Sequence, residues 1–219
     1  RPARPELLPP SKVKRRKIGS ASAGRVALLH ALAHIELNAI DLAWDIIARF
    51  THEELPRDFY DDWVQVADEE AKHFDLLSNR LSDLGAAYGD LPAHDGLWQA
   101  AEATADDLLA RLAVVPMVLE ARGLDVTPAM IEKLRGVEDN ASADILRIIY
   151  EEEIGHVTIG RRWFQWLCER RGLEPLATWQ ALVRERFRGP LKPPFNEAGR
   201  NEAGLPSDYY APLVDRPDG

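Results

Sequence analysis

Apolar residues recur at three- and four-residue steps along four long stretches of this chain, the period of a helix with one buried face. The first stretch runs over about 21–50 and is rich in Ala, Leu and Ile. "THEELPRD" turns the chain, and a second stretch follows over about 57–84, stopping at Gly85, a residue suited to the position after a helix end. "GAAYGDLPAHDG" reads as a loop by its glycines and proline. A third helix is expected over about 97–122, interrupted at "GLD" around Gly123. "TPAMIEKLRG" then reads as a short helix with a Thr cap and Pro in its first turn. A fourth long helix is expected over about 138–171, ending at Gly172, and "EPLATWQALVRERF" makes one more. No segment reads as a strand. The expected fold is therefore all-α: a four-helix bundle over 21–172, with an extended Pro-rich arm over 1–20. Residues 173–219 are expected to add a C-terminal helix and, from Gly189, an irregular tail packing on the bundle.

Four carboxylates interrupt these apolar faces. Side chains three, four or seven positions apart share one face of a helix. Glu70 shares its face with Trp63, Val66, Ala67, His73, Phe74, Leu77 and Leu81, whereas Glu69 sides with Asp62, Lys72 and Arg80. Glu153 sits with Ile149, Tyr150, His156, Val157, Gly160 and Phe164, whereas Glu151 sides with Asp144 and Arg147. Glu36 lies among Leu29, Leu32, Ala33, Ile40 and Ala43, and Glu120 among Leu109, Ala113, Pro116 and Met117. Each long helix thus brings one carboxylate to the core, and two of them bring a histidine three residues later. The spacings repeat: 84 residues separate Glu36 from Glu120, and 83 separate both Glu70 from Glu153 and His73 from His156.

One Glu-x-x-His is common by chance and usually an exposed pair. Two copies with two further inward glutamates are a different matter. An ionised carboxylate in a dry core costs several kcal/mol, and two divalent cations would balance four of them, with two neutral imidazoles completing the shells. Glu36, Glu70, His73, Glu120, Glu153 and His156 therefore form a candidate two-metal ligand set of the kind found in di-iron and di-manganese carboxylate bundles. The donor types admit iron, manganese, zinc or copper and so leave the metal open; two iron ions are the first expectation, with manganese or zinc as alternatives.

Charge and composition narrow the rest. The net charge of −9 excludes a surface that is basic throughout, although the first twenty residues carry seven Lys or Arg against one Glu. Cys168 is the only cysteine, so there is no internal disulfide, and the chain is expected in a reducing cytoplasm. No run is expected to cross a bilayer, and no secretory signal is expected from the Pro-rich, basic first residues.

The segments "RRKIGS", "LLHALAHIELNAIDLAWD", "ADEEAKHF", "YGDLPAHDGLW", "VLEARGLDVTP", "EIGHV" and "LKPPFN" resemble a bacterial family catalogued as domain of unknown function 455, and more distantly the ferritin-like superfamily. The resemblance implies a ferritin-like bundle and the same six ligands. Its relation to tRNA-hydroxylating di-iron enzymes implies O₂-dependent hydroxylation by analogy of fold and ligands. The expected function is an O₂-activating oxidoreductase acting on a small molecule or a modified nucleotide, with an unidentified electron donor. The alternatives are a metal- or peroxide-handling ferritin-like protein, or a non-catalytic bundle with structural metal. A single cysteine leaves no rubredoxin-like module for the peroxide version. His30, His34, Asn38 and Asp41 form a row beside the Glu36 face, and Tyr150 lies one turn before Glu153; these either orient the ligands or form ordinary polar packing. The basic arm either clasps another surface or touches phosphate, "LKPPFN" folds back as a lid, and the apolar helices admit a homodimer.

Overall fold

Two long helices, α1 (Ser22–Arg49) and α2 (Arg57–Asp83), form a hairpin around the turn at 50–56, within one residue of the sequence expectation. In this computed structural model, residues 4–9, 12–13, 18–19, 21–188 and 191–214 are described. The remaining elements are α3 (Gly96–Glu102), α4 (Leu108–Val114), a π-helical segment (Val115–Glu120), α5 (Ala121–Arg135), α6 (Asn140–Arg171), α7 (Pro175–Arg186), α8 (Glu197–Glu202), α9 (Ser207–Tyr210) and a 3₁₀ turn (Ala211–Leu213). Among the described residues the protein is all-α, and the only extended pairing is a single bridge between Leu7 and Ala93.

The chain divides into two compact units, one within 1–99 and 129–149, the other within 100–128 and 150–219. In the first, Leu28, Leu29 and Ala33 of α1 pack with Leu77 and Leu81 of α2 and with Leu134, Leu146 and Ile149. Asp139 ties this unit together. It accepts Arg25 Nη1 at 3.0 Å and Arg80 Nη2 at 2.9 Å, and caps the start of α6 by accepting from Ser142 N at 3.1 Å. The described part of the N-terminal arm clasps the loop before α3: Leu8 N donates to Ala93 O and Ala93 N to Glu6 O. The basic run Lys14–Lys17 lies outside the described residues.

Against expectation, α1 is long and apolar enough by length and composition to cross a membrane. That apolar stretch is 61% buried within the protein, and the helix also buries His30, His34, Glu36 and Asn38. Its composition is accounted for by the core it occupies.

The third expected helix is the main departure. The break at Gly123 does not occur; the chain breaks earlier, at 103–107. There Asp107 caps α4 by accepting from Leu109 N. The buried Arg111 guanidinium reaches back to Ala101 O (2.6 Å) and Thr104 Oγ1 (2.8 Å), satisfying groups freed at the end of α3. Downstream, α5 runs straight through Gly123 and Pro128. Proline has no N–H to offer the carbonyl four residues back, which is Leu124 O; Asn196 Nδ2 supplies that bond instead, at 3.1 Å. A partner 72 residues away in sequence is invisible to local pattern. The tail, expected to be irregular, forms α8, α9 and the 3₁₀ turn. "LKPPFN" itself is irregular, and its described residues are strapped to α5: Arg122 Nη1 donates to Lys192 O (2.5 Å) and Pro194 O (3.0 Å).

Candidate metal centre

The α1–α2 hairpin is near-symmetric about its turn, with thirteen steps from Glu36 to Arg49 and thirteen from Arg57 to Glu70. The two glutamates therefore arrive at one height. His73 Nδ1 lies 3.5 Å from Glu36 Oε2 and 3.4 Å from Glu70 Oε2, with all three side chains buried. Ligand atoms of the three lie within 4.8 Å of one another. Burial and the neighbouring Glu70 charge push the Glu36 carboxyl up to about 8. Burial alone would lower the His73 imidazole, but Glu36 and Glu70 outweigh it and hold it at about 10. These groups trap protons because the pocket carries more negative charge than its dry surroundings can solvate. A cation answers the same need, and two carboxylates plus one imidazole are a donor set that divalent metals accept.

The second unit holds the other three candidates. Two contacts fix how the segment carrying Glu120 lies along α6. Gly160 has no room for a side chain, because a Cβ there would fall 2.4 Å from Pro116 Cβ. Eight residues beyond Pro116, Leu124 is joined to Tyr150 through Asn196, whose Nδ2 donates to Leu124 O (3.1 Å) and Tyr150 Oη (2.9 Å). As one segment advances from 116 to 124, its neighbour recedes from 160 to 150. The pair is thus antiparallel, and Glu120 falls opposite 153–156. His156 is fully buried and Glu153 nearly so, with His156 Nδ1 3.7 Å from Glu153 Oε2. Glu120 is half-buried at the end of the π segment, a distortion that often accompanies functional sites.

The family described as "Protein of unknown function (DUF455)" matches residues 1–211. The chain belongs to that family. A Haemophilus influenzae protein named "Uncharacterized protein" is 44% identical over 209 residues, which span 93% of this chain and 72% of the relative. No solved structure matches the chain.

The remaining candidates hold the scaffold. His30 Nε2 accepts from Gly89 N (2.9 Å) and Leu91 N (3.4 Å). His34 meets Tyr88 Oη at 2.9 Å and His94 O at 3.2 Å. Asn38 Nδ2 donates to His34 O at 2.6 Å. The bonds of His30 and His34 dock the 85–95 loop on α1. Tyr150 Oη accepts from Asn196, so it fixes the strap after α7. Cys168 is buried, and burial pushes its thiol up to about 11, so it is inert as expected. Sequence reasoning missed the buried pair Asp125–Arg200, joined by 2.7 and 2.8 Å bonds. Its members lie 75 residues apart, and no spacing rule connects them.

Proposed function

We propose that this member of the family is a ferritin-like di-metal carboxylate protein whose centre draws on Glu36, Glu70, His73, Glu120, Glu153 and His156. Iron is the favoured metal, with manganese or zinc as the other candidates. The observation that carries the reading is the buried Glu36–Glu70–His73 cluster, repeated in pattern by Glu120, Glu153 and His156 at nearly the same sequence spacing. A four-helix bundle formed from the two hairpins supplies one centre with four carboxylates and two imidazoles.

The chemistry such an iron pair supplies is the binding and reduction of O₂ coupled to oxidation of a substrate. The protein's own part is to hold charge. Glu36 and His73 must shed protons for their atoms to act as ligands, so loading releases protons and strengthens as pH rises. Trp63, Val66 and Leu77, buried on the helix face that carries Glu70, keep bulk water from that carboxylate. The reaction class is an oxidoreductase, in a cytoplasmic setting consistent with a single inert thiol.

Metal analysis of protein purified without added metal tests this, with wild type beside a Glu70→Ala/Glu153→Ala variant. About two metals per chain, lost in the variant, is the expected result. No bound metal, with a melting temperature indifferent to iron or manganese, overturns the reading. Ferrous-loaded protein should then consume O₂ in a reaction abolished by Glu70→Ala. Metal-dependent melting without O₂ consumption would leave metal as a structural staple only.

A further inference from the structure

The second unit contains a cleft that the metal reading does not use. It encloses about 260 Å³ between the π segment, α5 and the strap that follows α7. Leu119, Phe187, Leu191 and Phe195 give it apolar walls. Its charged residues are four cations and one carboxylate: Arg122, Arg188, Lys192 and Arg200 against Asp125. Such an excess of positive charge stands out on a chain whose net charge is −9.

The one carboxylate is already committed. Asp125 and Arg200 are buried and joined by two short bonds, at 2.7 and 2.8 Å. The Arg200 guanidinium is further held against the rings of Phe195 (5.1 Å) and Tyr210 (4.6 Å). This pair is a rigid, neutral floor. Arg122 is anchored by neutral carbonyls, those of Lys192 and Pro194, and stands 3.4 Å from the Asp125 oxygen already bonded to Arg200. One carboxylate is thus shared by two guanidinium groups, Arg122 and Arg200, which leaves a net positive charge there. Arg188 and Lys192 are exposed and form no ion pair among the described residues. Arg188 and Lys192 therefore edge an apolar cleft without an ion pair among the described residues, and Arg122 shares its one carboxylate with Arg200.

We propose that this cleft binds a compact organic anion, an apolar or aromatic body bearing one phosphate or carboxylate. The body lies on the Phe187 and Leu191 walls and the charged group meets Arg122, Arg188 and Lys192. The volume sets the size: pockets enclosing drug-sized ligands run to roughly 300–1,000 Å³, so a molecule of one or two rings fits. Arginine favours planar two-oxygen groups, which both head groups present. The site stands on its own residues and does not depend on a bound metal.

Calorimetric titration of the protein with 1-naphthyl phosphate and 1-naphthoate tests it, against 1-naphthol and inorganic phosphate. At least one of the two organic anions binds, and the tighter identifies the head group. Naphthol and inorganic phosphate bind at least about tenfold more weakly, since each lacks half of what the cleft recognises. Arg188→Gln and Lys192→Gln each weaken the anion by about threefold to fivefold, in keeping with exposed charges, and raised salt does the same to wild type. Both positions are at the surface, so an unchanged melting temperature verifies folding. Should both variants prove unstable, the salt dependence carries the charge test alone. Equal binding of naphthol, equal binding of inorganic phosphate, no binding of either organic anion, or salt-independent affinity would each overturn the proposal.

Discussion

Glu36 and His73 face each other across 3.5 Å in a buried site, and each holds its proton more tightly than it would in an unfolded chain. Glu36 is raised from 4.5 to about 8, by burial first and then by the Glu70 charge. His73 is raised from 6.5 to about 10, the two glutamates overcoming the opposing effect of burial. Where the folded state binds more protons than the unfolded state, stability falls as pH rises. For Glu36 the loss runs from about 4.5 to about 8, and for His73 from about 6.5 to about 10. Metal-stripped protein should therefore be most stable near pH 5 and lose on the order of a few kcal/mol by pH 8. Thermal melts across that range check this. Glu36→Gln removes the first of these titrations, so its melting temperature should fall less between pH 5 and 7. With saturating metal the slope should shrink or reverse, because the competing protons are already gone. An apo protein whose stability rises steadily from pH 5 to 8 would contradict the electrostatics described.

At the scale of the element, two glycines of α6 should respond in opposite ways. A Cβ at Gly160 would sit 2.4 and 2.5 Å from the Pro116 ring, and a ring tied to the backbone cannot swing aside. Gly160→Ala should cost about 1–3 kcal/mol as overpacking, lowering the melting temperature by roughly 2–4 °C per kcal/mol for a chain of this size. It should also spread α6 from the π segment and reduce bound metal through Glu120. Gly155 is exposed and an added Cβ meets nothing within 4 Å, so Gly155→Ala should be neutral or stabilise by up to about 1 kcal/mol. A second element-level test concerns Pro128 and Asn196. Asn196→Ala removes the donor to Leu124 O and should cost about 1–3 kcal/mol; Pro128→Ala restores a backbone donor to that carbonyl. The double variant should lose less than Asn196→Ala alone, and strictly additive melting shifts would defeat the account. The same pair shows where sequence legibility ends. α1, α2 and the inward turn of Glu36, Glu70 and His73 followed from helical period, because both arms of that hairpin are regular. Around Glu120 the period fails: Pro116 sits in a π segment, and the chain crosses Gly123 and Pro128 as helix only because Asn196 and Arg200 arrive from the tail. Local pattern predicted a break there because it weighs neighbours in sequence, and the deciding partners are more than seventy residues away.

For the whole molecule, the proposed centre makes folding and metal loading one equilibrium. Glu36, Glu70 and His73 belong to one unit, and Glu120, Glu153 and His156 to the other. If one centre uses both sets, removing a ligand from either should cost the same metal-dependent stabilisation. Metal at about 100 times its Kd adds about 2.7 kcal/mol, or roughly 5–10 °C in melting temperature for this chain length. Glu70→Ala and Glu153→Ala should each remove most of that gain, and the double variant should remove no more than either alone, the non-additivity expected of groups that act together. In metal-free protein the order inverts. Each variant deletes a buried carboxylate from a site short of cations, so its apo form should melt at or above wild type despite the small cavity left behind. Two independent sites, one in each unit, would give a different result: each single variant would keep about half of the metal gain and half of the bound metal, and the double variant would lose both. Metal content and melting temperature, measured together on these four proteins with and without a chelator, separate a shared centre from two separate ones.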